Sequence, residues 1–590
     1  MVGTLTWVLV GLAAYTLVAM TLKSRGVIPD FVNLSGPIVT VHTQSGKRLL
    51  DRLAAPKRVW RAWGNVGVGF SLIVIAGSFF VVLLSGYLAA SEPASQPISN
   101  PQNLLVIPGV NEFLPLSAAP EILFGLAVGL VLHEGGHGLL CRVEDIDIES
   151  MGLVFLTVVP VGAFVEPNEE NRRDSSRGSQ VRMFAAGVTN NFAISIVAFL
   201  LLFGPVAGSI AVTPGVPVGD TIAGSGAEQA GVERGDVIQA VGDTEVANQS
   251  EFDSAMANDT GDRVQLTMRD GREVTVNKTL VVTRAVPGTI DGIDLSGDEP
   301  PRITAVNGTT VAGKQAFDEA VRDRDVVEIQ TAESGSATLR VGAYISQVDA
   351  DGPLGNAGAP TDGQALTITA VNGTSIHSSE ELARVLDQHE PGATVPVTAY
   401  HDGDHHTYNA TLAPGSDGGA SLGVRATSGV AGLVVDDVGI EAYPADSFLA
   451  ALGGDTAGIG PNPAQRIGFT LFMPFLSIVN ADFGFNFAGF TGGVENFYYA
   501  TGPLSFLGGG VLLLANLLFW TAWINIQLAW FNCIPTYPLD GGHILRGSAE
   551  SIVSRLPIDR RRTAVSLITG SVSGLMVMAL FFMIFAPALL

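Results

Sequence analysis

Long apolar stretches alternate with polar segments along the chain. They cover residues 3–22, 66–90, 119–141, 183–210, 503–530 and 564–588. A helix needs about 20 apolar residues to cross the hydrocarbon core of a bilayer, and each stretch is of that order. The pattern therefore predicts a polytopic α-helical membrane protein with about six transmembrane helices.

Basic residues predict the orientation of these helices. Lys and Arg are frequent in residues 23–64, 142–177 and 555–562, whereas residues 91–118 contain neither. Because cytoplasmic loops carry an excess of Lys and Arg, we expect the basic loops to face the cytoplasm of a multi-pass cell-membrane protein. The long segment between the fourth and fifth stretches is then extracytoplasmic.

That long segment, residues 212–437, contains a repeat. The run Ile238–Thr244 recurs as Ile303–Thr309 and again as Ile368–Thr374. Each copy predicts a strand, a tight turn with glycine, a short strand and an amphipathic helix. The run that leads into the first copy, Ala227–Ile238, resembles the AxxAGLxxGDxI stretch of bacterial-type PDZ domains. We expect an extracytoplasmic α+β insert of two or three PDZ-like modules, with a degenerate or split middle copy.

The pattern divides the chain into two N-terminal transmembrane helices with loops, a membrane core in two parts, the repeat insert and a Gly- and Phe-rich connector. The N-terminal helices and loops are predicted at 1–118, and the two parts of the membrane core at 119–211 and 503–590. The insert is predicted at 212–437 and the connector at 438–502. Within the connector, residues 467–480 are apolar but short and contain Pro474. An interfacial segment and a re-entrant segment are both compatible with this pattern.

Composition and charge narrow the function classes. The chain is 47% hydrophobic and 15% charged, with a formal net charge of -24. Asp and Glu far outnumber Lys and Arg in residues 212–437, so the acidic excess lies in the insert. An acidic surface argues against nucleic acid as a partner, because phosphate binding needs Lys and Arg. The two cysteines, Cys141 and Cys533, lie on or beside apolar stretches and imply no disulfide framework.

The third apolar stretch carries candidate chemistry at its end, in the run His133-Glu134-Gly-Gly-His137. Positions i and i+4 share a face of a helix, so both imidazoles can reach one metal ion. Glu134 is then placed to take a proton from the attacking water. Ionisable side chains are costly at membrane depth, which favours a functional interpretation of this cluster over a structural one.

A catalytic zinc site uses three protein ligands and keeps one open position. Asp540 is the candidate third ligand, because the predicted topology puts it on the same side of the membrane as His137. His543 follows three residues later and is either a competing ligand or a group that hydrogen-bonds Asp540. Two other groups are weaker candidates: Cys141, as a zinc thiolate or a buried apolar residue, and the His401–His406 tract, as a metal cluster or a hairpin tip.

The motif HExxH on one span, paired with NxxPxxxLDG on a later one, resembles the site-2 proteases, which are zinc-dependent intramembrane proteases. Asn532, Pro535, Leu539, Asp540 and Gly541 match the second motif. The run Ala186–Asn191 is similar to the AGPxxN motif of the family, with Val188 where proline is usual. PDZ modules between these motifs also occur in bacterial and archaeal members.

The resemblance implies a metalloendopeptidase that holds one zinc ion per chain and cuts membrane-anchored protein substrates in the bilayer, near its cytoplasmic side, in regulated proteolysis. By that resemblance the zinc ligands are His133, His137 and Asp540, the general base is Glu134, Asn532 holds the substrate or the oxyanion, and Asn191 supports the site from outside it.

A substrate helix must unwind before cleavage, because its backbone carbonyls are already hydrogen-bonded. The β-branched, apolar residues 151–166 predict a hairpin that either pairs with the unwound substrate or only covers the site. Two rival functions are a membrane-anchored PDZ adaptor with a structural metal and a transporter with the metal as cargo. A structural zinc prefers four ligands and needs no Glu base, which argues against the adaptor. Transporters of this kind have repeated membrane halves, whereas the repeat in this chain lies in the insert, which argues against the transporter.

Overall fold

The computed structural model describes residues 4–29, 31–91, 107–111, 114–157, 159–286, 299–322, 324–332, 335–361, 366–401, 404–415, 418–454, 462–479, 484–557 and 559–589. The chain forms two compact units. The membrane unit comprises Met1–Val212 and Asp446–Leu590, and the insert unit comprises Thr213–Ala445. Each unit has its own arrangement of helices and sheets.

In the N-terminal part of the membrane unit, the described residues form six α-helices and five strands. The helices are α1 (Thr4–Ser24), α2 (Gln44–Leu53), α3 (Lys57–Ser91), α4 (Ala119–Val143), α5 (Glu169–Asp174) and α6 (Arg177–Leu201). The strands are β1 (Val32–Ser35), β2 (Ile38–His42), β3 (Ile148–Leu156), β4 (Val159–Pro167) and β5 (Ile210–Val212).

Strands β1 to β4 form one antiparallel sheet in the order β1-β2-β3-β4. The hairpin of β3 and β4 has Leu153 opposite Ala163 and Met151 opposite Val165. This confirms the hairpin predicted at residues 151–166. Strand β4 forms an edge of the sheet, so one side of its backbone is not paired with another strand of this sheet.

The insert unit contains strands β6 to β25 and helices α7 to α11. The strands are β6 (Val216–Thr221), β7 (Val237–Val241), β8 (Thr244–Glu245), β9 (Arg263–Met268), β10 (Glu273–Asn277), β11 (Val281–Ala285), β12 (Ile303–Val306), β13 (Thr309–Thr310), β14 (Val326–Thr331), β15 (Gly335–Arg340), β16 (Ala343–Val348), β17 (Leu366–Val371), β18 (Thr374–Ser375), β19 (Thr394–His401), β20 (Asp404–Thr411), β21 (Ala413–Pro414), β22 (Ala420–Ser421), β23 (Val424–Ala426), β24 (Leu433–Asp436) and β25 (Ile440–Ala442). The helices are α7 (Gly226–Gln229), α8 (Gln249–Asn258), α9 (Lys314–Val321), α10 (Pro353–Asn356) and α11 (Ser379–Leu386).

The three sequence repeats fold around three main sheets, each with its own apolar core. Among the described residues, β11 with β24 and β21 with β22 form two further two-stranded sheets. The first repeat has the strand order β10-β9-β7-β6-β25, the middle one β13-β12-β14-β15, and the third β20-β19-β17-β16-β23. The first and third repeats each contain a short helix, α7 or α10, between their first two strands. In the middle repeat, part of the corresponding region falls at residues 287–298, outside the described residues.

The repeats are nested within one another and are not three consecutive, independent units. After the third repeat the chain returns through β23, β24 and β25, which complete the repeats in reverse order. Strand β23 pairs with β16, β24 pairs with β11 of the middle repeat, and β25 pairs with β6 of the first. Leu433 and Val435 of β24 join the buried core of the middle repeat, together with Phe317. The middle repeat is therefore interrupted by the third, and the first by both.

The C-terminal part of the membrane unit contains the remaining helices and one strand. These are α12 (Ala445–Ala451), α13 (Pro463–Phe472), α14 (Leu476–Val479), α15 (Gly510–Asn532), α16 (Asp540–Val553), α17 (Arg561–Leu589) and β26 (Tyr498–Ala500), which pairs with β5. Met473–Phe475 forms a 3₁₀ turn between α13 and α14.

Five helices among the described residues are long and apolar enough to cross a membrane. They are Lys57–Ser91, Leu116–Val143, Arg177–Ser209, Gly510–Asn532 and Arg561–Pro587. The first predicted span corresponds to α1, in which the described apolar part, Val10–Ser24, is shorter than a span requires. The sixth transmembrane helix and the orientation of the others stay predictions.

The connector packs against α15 through buried polar contacts. Asn516 of α15 accepts a hydrogen bond from the backbone N–H of Phe490 and donates one to its carbonyl oxygen. The indole N–H groups of Trp520 and Trp523 donate to the carbonyl oxygens of Ala488 and Leu471. Part of the apolar segment predicted at 467–480 thus packs against α15. There the Leu471 carbonyl oxygen accepts from Trp523 the hydrogen bond that a buried carbonyl needs.

Candidate active site

Helix α4 places His133 and His137 one turn apart on one face. Their ring centroids are 4.7 Å apart. The Nε2 atoms of both rings converge on Oδ2 of Asp540, at 3.1 Å from His133 and 3.2 Å from His137. The three side chains are only 10%, 12% and 11% exposed, respectively. The structure therefore brings together the three residues that the sequence analysis selected as metal ligands.

The close approach of α6 to these histidines depends on Gly187. A Cβ atom on Gly187 would lie 2.7 Å from Nε2 of His137 and 2.9 Å from Cε1 of His133. Any larger residue would displace the imidazoles, because real Cβ contacts are longer. The glycine of the Ala186-Gly187 pair is thus required by the packing of α6 on the face of α4 that carries the site.

Asp540 reaches the site because the chain turns sharply after α15. Helix α15 ends at Asn532, and α16 begins at Asp540 itself. The start of α16 folds back onto this turn so closely that a Cβ on Gly541 would lie 2.5 Å from the carbonyl oxygen of Ile534. This explains the glycine that follows the aspartate in the LDG motif.

Hydrogen bonds behind the two rings orient them. His137 Nδ1 lies 2.8 Å from the carbonyl oxygen of Met183, so Nδ1 carries the proton and donates it. His133 Nδ1 lies 3.3 Å from the side-chain amide of Asn191, which is fully buried. The Oδ1 atom of that amide has no hydrogen-bond partner among the described residues. A half-turn of the amide places Oδ1 to accept from His133 Nδ1–H, which is the tautomer that leaves Nε2 unprotonated.

These outer contacts leave the Nε2 lone pairs of both rings facing the carboxylate. Oδ2 of Asp540 is buried and makes no hydrogen bond within the described part of the chain, although two ring nitrogens are near it. The Nε2 atoms of both rings and Oδ2 of Asp540 thus direct lone pairs at one another. Without a proton or a cation between them, these lone pairs repel one another. Two imidazoles and one carboxylate also form the donor set of a catalytic metal site with an open position. The residues present fit a bound metal.

Glu134 lies beside this cluster and is held by the sheet. The ligand atoms of His133, Glu134 and His137 all lie within 4.8 Å of one another. Oε2 of Glu134 accepts a hydrogen bond of 2.9 Å from the backbone N–H of Val165 in β4. Because that N–H points away from β3, the free edge of β4 faces the site.

Two further residues from the sequence analysis have other contacts. The amide of Asn532 donates to the carbonyl oxygen of Leu528 at 2.9 Å, one turn back in α15. The ring of His543 stacks on Phe184 at 4.2 Å and meets Tyr537 edge-on at 4.8 Å. Burial lowers the pKa of His543, and the carboxylate of Asp540 offsets this only in part.

The weaker metal candidates lie elsewhere. Cys141 is fully buried in an apolar cluster with Leu140 and Ile146, which agrees with the apolar interpretation. His401 ends β19 and His406 lies in β20, with their ring centroids 6.3 Å apart. The turn between these strands, residues 402–403, lies outside the described residues.

Sequence reasoning missed two groups of the site, the carbonyl of Met183 and the N–H of Val165. Both are backbone atoms, and every residue except proline carries the same donor and acceptor. Only the positions of these residues in the fold distinguish them, so the sequence contained no signal for either.

Comparison with known proteins identifies the family. The model of peptidase family M50, the site-2 protease family, matches residues 121–577, which is most of the chain and includes both motifs. The chain belongs to peptidase family M50. The family consists of membrane-embedded zinc metallopeptidases.

Other comparisons cover less of the M50 chain. It is 24% identical over 184 residues to the uncharacterized protein MJ0971 of Methanocaldococcus jannaschii, a match that covers 30% of this chain and 46% of that protein. The chain thus spans about half the length of this curated relative. The PDZ domain of an SdrC-like protein from Listeria monocytogenes matches at 21% identity over 14% of this chain and 86% of that domain, with a TM-score of 0.13, which is too low to carry an argument.

Proposed function

We propose that this protein is a zinc-dependent endoprotease that cuts membrane-anchored proteins at membrane depth, in regulated proteolysis. The observation that carries the proposal is the convergence of His133, His137 and Asp540 beside Glu134. Polar groups of this kind, at the end of a spanning helix, mark a functional site. In this proposal the basic loops and the site lie towards the cytoplasm, and the insert lies outside it.

His133, His137 and Asp540 would hold one zinc ion. When bound, zinc supplies Lewis-acid activation of water and of the scissile carbonyl. Glu134 takes the proton from the attacking water and passes it to the leaving amine, as a general base and then a general acid. Val165 N–H keeps the Glu134 carboxylate in place for this transfer. Met183 and Asn191 keep the two imidazoles in the tautomer that presents Nε2.

The substrate would bind along the free edge of β4. An unwound segment that pairs with this edge exchanges main-chain hydrogen bonds with it, as in other cases of strand addition. Such pairing also keeps the substrate unwound, which cleavage requires. Because Val165 links this edge to Glu134, the paired segment is presented next to the general base. Of the two interpretations of the hairpin, we favour substrate pairing over a cover alone.

Replacing Ala163 by Pro tests the pairing. Ala163 lies two residues from Val165 in β4, so its N–H also points to the free edge and not to β3. Proline removes this donor without removing a bond of the β3–β4 ladder, which an edge strand tolerates. We expect kcat/KM for a membrane-anchored substrate to fall roughly tenfold, the cost of about one hydrogen bond. Zinc content should not change. Unchanged cleavage would favour a hairpin that only covers the site.

Asn532 would bind the substrate carbonyl or stabilise the oxyanion. Amide donors aimed at a developing oxyanion are a common means of transition-state stabilisation. For this role the Asn532 amide must leave the Leu528 carbonyl when substrate binds.

Cleavage of a fluorescent membrane-anchored peptide by the purified protein, with and without a chelator, tests the proposed function. We expect cleavage that the chelator abolishes and added zinc restores. Two rivals, the adaptor and the transporter, predict no cleavage under any condition. A metal-loaded protein that cuts no membrane peptide would overturn the proposal.

The insert would restrict which substrates reach the site. It is connected between α6 and α15, the helices that lead to Asn191 and Asp540. A large folded ectodomain would be excluded by it, whereas a trimmed substrate would pass or offer its new C-terminus to a PDZ-like module. The chain starts and ends the insert unit through paired strands, with Val218 of β6 opposite Ala442 of β25. A short linker can therefore replace the unit.

Deleting Thr213–Ala445 and joining the ends with a flexible linker tests this restriction. We expect zinc content and cleavage of a short membrane peptide to be kept. Substrates with a full ectodomain, which the intact protein cuts poorly, should be cut at rates close to those of trimmed ones. The measurement is paired cleavage of one substrate with and without its ectodomain. If the folded deletion variant fails on trimmed substrates, the insert recruits them and does not exclude others.

A further inference from the structure

An apolar cavity of about 730 Å³ lies in the membrane unit directly beside Glu134. Its walls come from α2, α3, α4, α6 and the β3–β4 hairpin. Apolar lining residues include Leu53, Trp63, Val131, Phe164, Ala193 and Ile194. Glu134 is the one charged residue among the residues that line it. The volume is that of a ligand pocket, and pockets of this kind are apolar with a few placed polar groups.

The cavity borders the surface of α4 at Gly135, the residue next to the general base Glu134. A Cβ atom on Gly135 would meet no heavy atom within 4 Å, so this part of the helix borders open space. Gly135, Glu134 and Val131 all line the cavity. A side chain that occupies the cavity therefore lies beside the Glu134 carboxylate.

Two side-chain hydrogen bonds connect α3, α6 and α4 along one wall of the cavity. The indole N–H of Trp63 donates to Oδ1 of Asn190 at 3.1 Å, and Nδ2 of Asn190 donates to the carbonyl oxygen of Leu132 at 3.1 Å. Each heteroatom of the Asn190 side chain thus has a partner. The wall consequently presents the apolar ring of Trp63 and no free polar atom of the amide.

The free edge of β4 borders the same cavity. Ala163, Phe164 and Val165 line it, and Val165 also holds Glu134. Side chains alternate between the two faces of a strand, so a substrate strand paired with β4 directs every second side chain to one side. Side chains on the cavity side then lie against its apolar walls.

We propose that this cavity is the specificity pocket of the protease and takes a large apolar side chain, such as Phe or Leu, within two residues of the scissile bond. This inference rests on the proposed function and names the substrate feature that the site selects. The occupant is a substrate side chain, because the cavity borders both the pairing edge of β4 and the general base Glu134. A pocket of this kind discriminates by about 10- to 200-fold between side chains that differ by one methylene.

Filling the cavity from α6 provides the test. Ala193→Phe adds a ring to the wall, and Ile196→Phe is the matched control, since Ile196 lies on the same helix, is 55% exposed and is not part of the lining. Leu53→Trp fills the cavity from α2, where Leu53 is 46% exposed and tolerates replacement. Each variant is assayed as the full-length protein in vesicles against membrane-anchored peptides with Ala, Leu or Phe at each of two positions on either side of the cut.

We expect the unmodified protein to prefer Phe or Leu over Ala by at least about tenfold at one or two of these positions. Ala193→Phe and Leu53→Trp should abolish this preference, which is measured as the ratio of kcat/KM for the Phe or Leu peptide to kcat/KM for the Ala peptide. Ile196→Phe should keep the preference. Cleavage of the Ala peptide shows that a variant is folded and catalytically competent.

Three outcomes would overturn the inference. An unmodified protein without a size preference has no such pocket. Filled variants that retain the full preference place the selection elsewhere, and if they also lose a co-purified lipid, the cavity holds an acyl chain. An unmodified, zinc-loaded protein that cuts none of the peptides overturns the proposed function itself, and that result differs from cleavage without selectivity.

Discussion

Glu134→Gln is expected to lower proteolysis by about 10²- to 10⁴-fold while the protein keeps one zinc ion per chain. The amide has nearly the size of the carboxylate, and its oxygen can still accept the hydrogen bond from Val165 N–H. It cannot take a proton from the attacking water. The proposed ligands His133, His137 and Asp540 are unchanged, so metal binding should be unaffected.

The measurement pairs peptide cleavage with metal analysis of the same preparation. Glu166→Gln is the matched control, because Glu166 is an exposed carboxylate in β4 and lies next to Val165 in the chain. It should have full activity. If Glu134→Gln loses zinc together with activity, Glu134 is a ligand and the division of roles proposed for this site is wrong.

Asp540→Ala is expected to weaken zinc binding by more than about 100-fold, since losing an outer hydrogen-bond partner alone costs 10- to 100-fold. Only the two imidazoles would remain as protein ligands, and a catalytic zinc site needs three. Cleavage should be lost with the metal. The variant also removes the buried oxygen that both Nε2 atoms face, at 3.1 and 3.2 Å.

His543→Phe is the control that separates the two candidate third ligands. Phenylalanine keeps a ring that stacks on Phe184 and contacts Tyr537, but it has no nitrogen that could bind a metal. We expect this variant to keep zinc and most of its activity. An Asp540→Ala protein with full metal occupancy, together with a metal-free His543→Phe protein, would assign the third ligand to His543.

The apolar helices and most of the cluster of His133, His137 and Asp540 were predictable, because local rules determine them. A helix that crosses a bilayer needs about 20 mostly apolar residues in a row, so the candidate spans at Lys57–Ser91 and Gly510–Asn532 are visible as apolar runs. The spacing of His133 and His137 is a property of any α-helix and needs no tertiary information. Asp540 needed one more step, since the predicted topology and the paired motif placed it near a helix 400 residues earlier in the chain.

The nesting of the repeats was not predictable. Strands β23, β24 and β25 have only three or four residues, too few for a recognisable alternation. Their partners are distant in the chain, as in the pairing of Thr221 with Ile440. A repeated motif implies repeated units, but it does not indicate which later segment completes each of them.

The sequence by itself determined the elements of this protein: apolar helices, a repeated α+β insert, and histidines and acids at the ends of spans. The tertiary structure alone decided how those elements meet. The carbonyl of Met183, the N–H of Val165 and the cavity behind Trp63 arise where helices and strands distant in sequence come into contact. The reason is physical: periodicity records which face of an element is apolar, whereas backbone donors and empty volumes belong to the packed arrangement and leave no residue-specific mark.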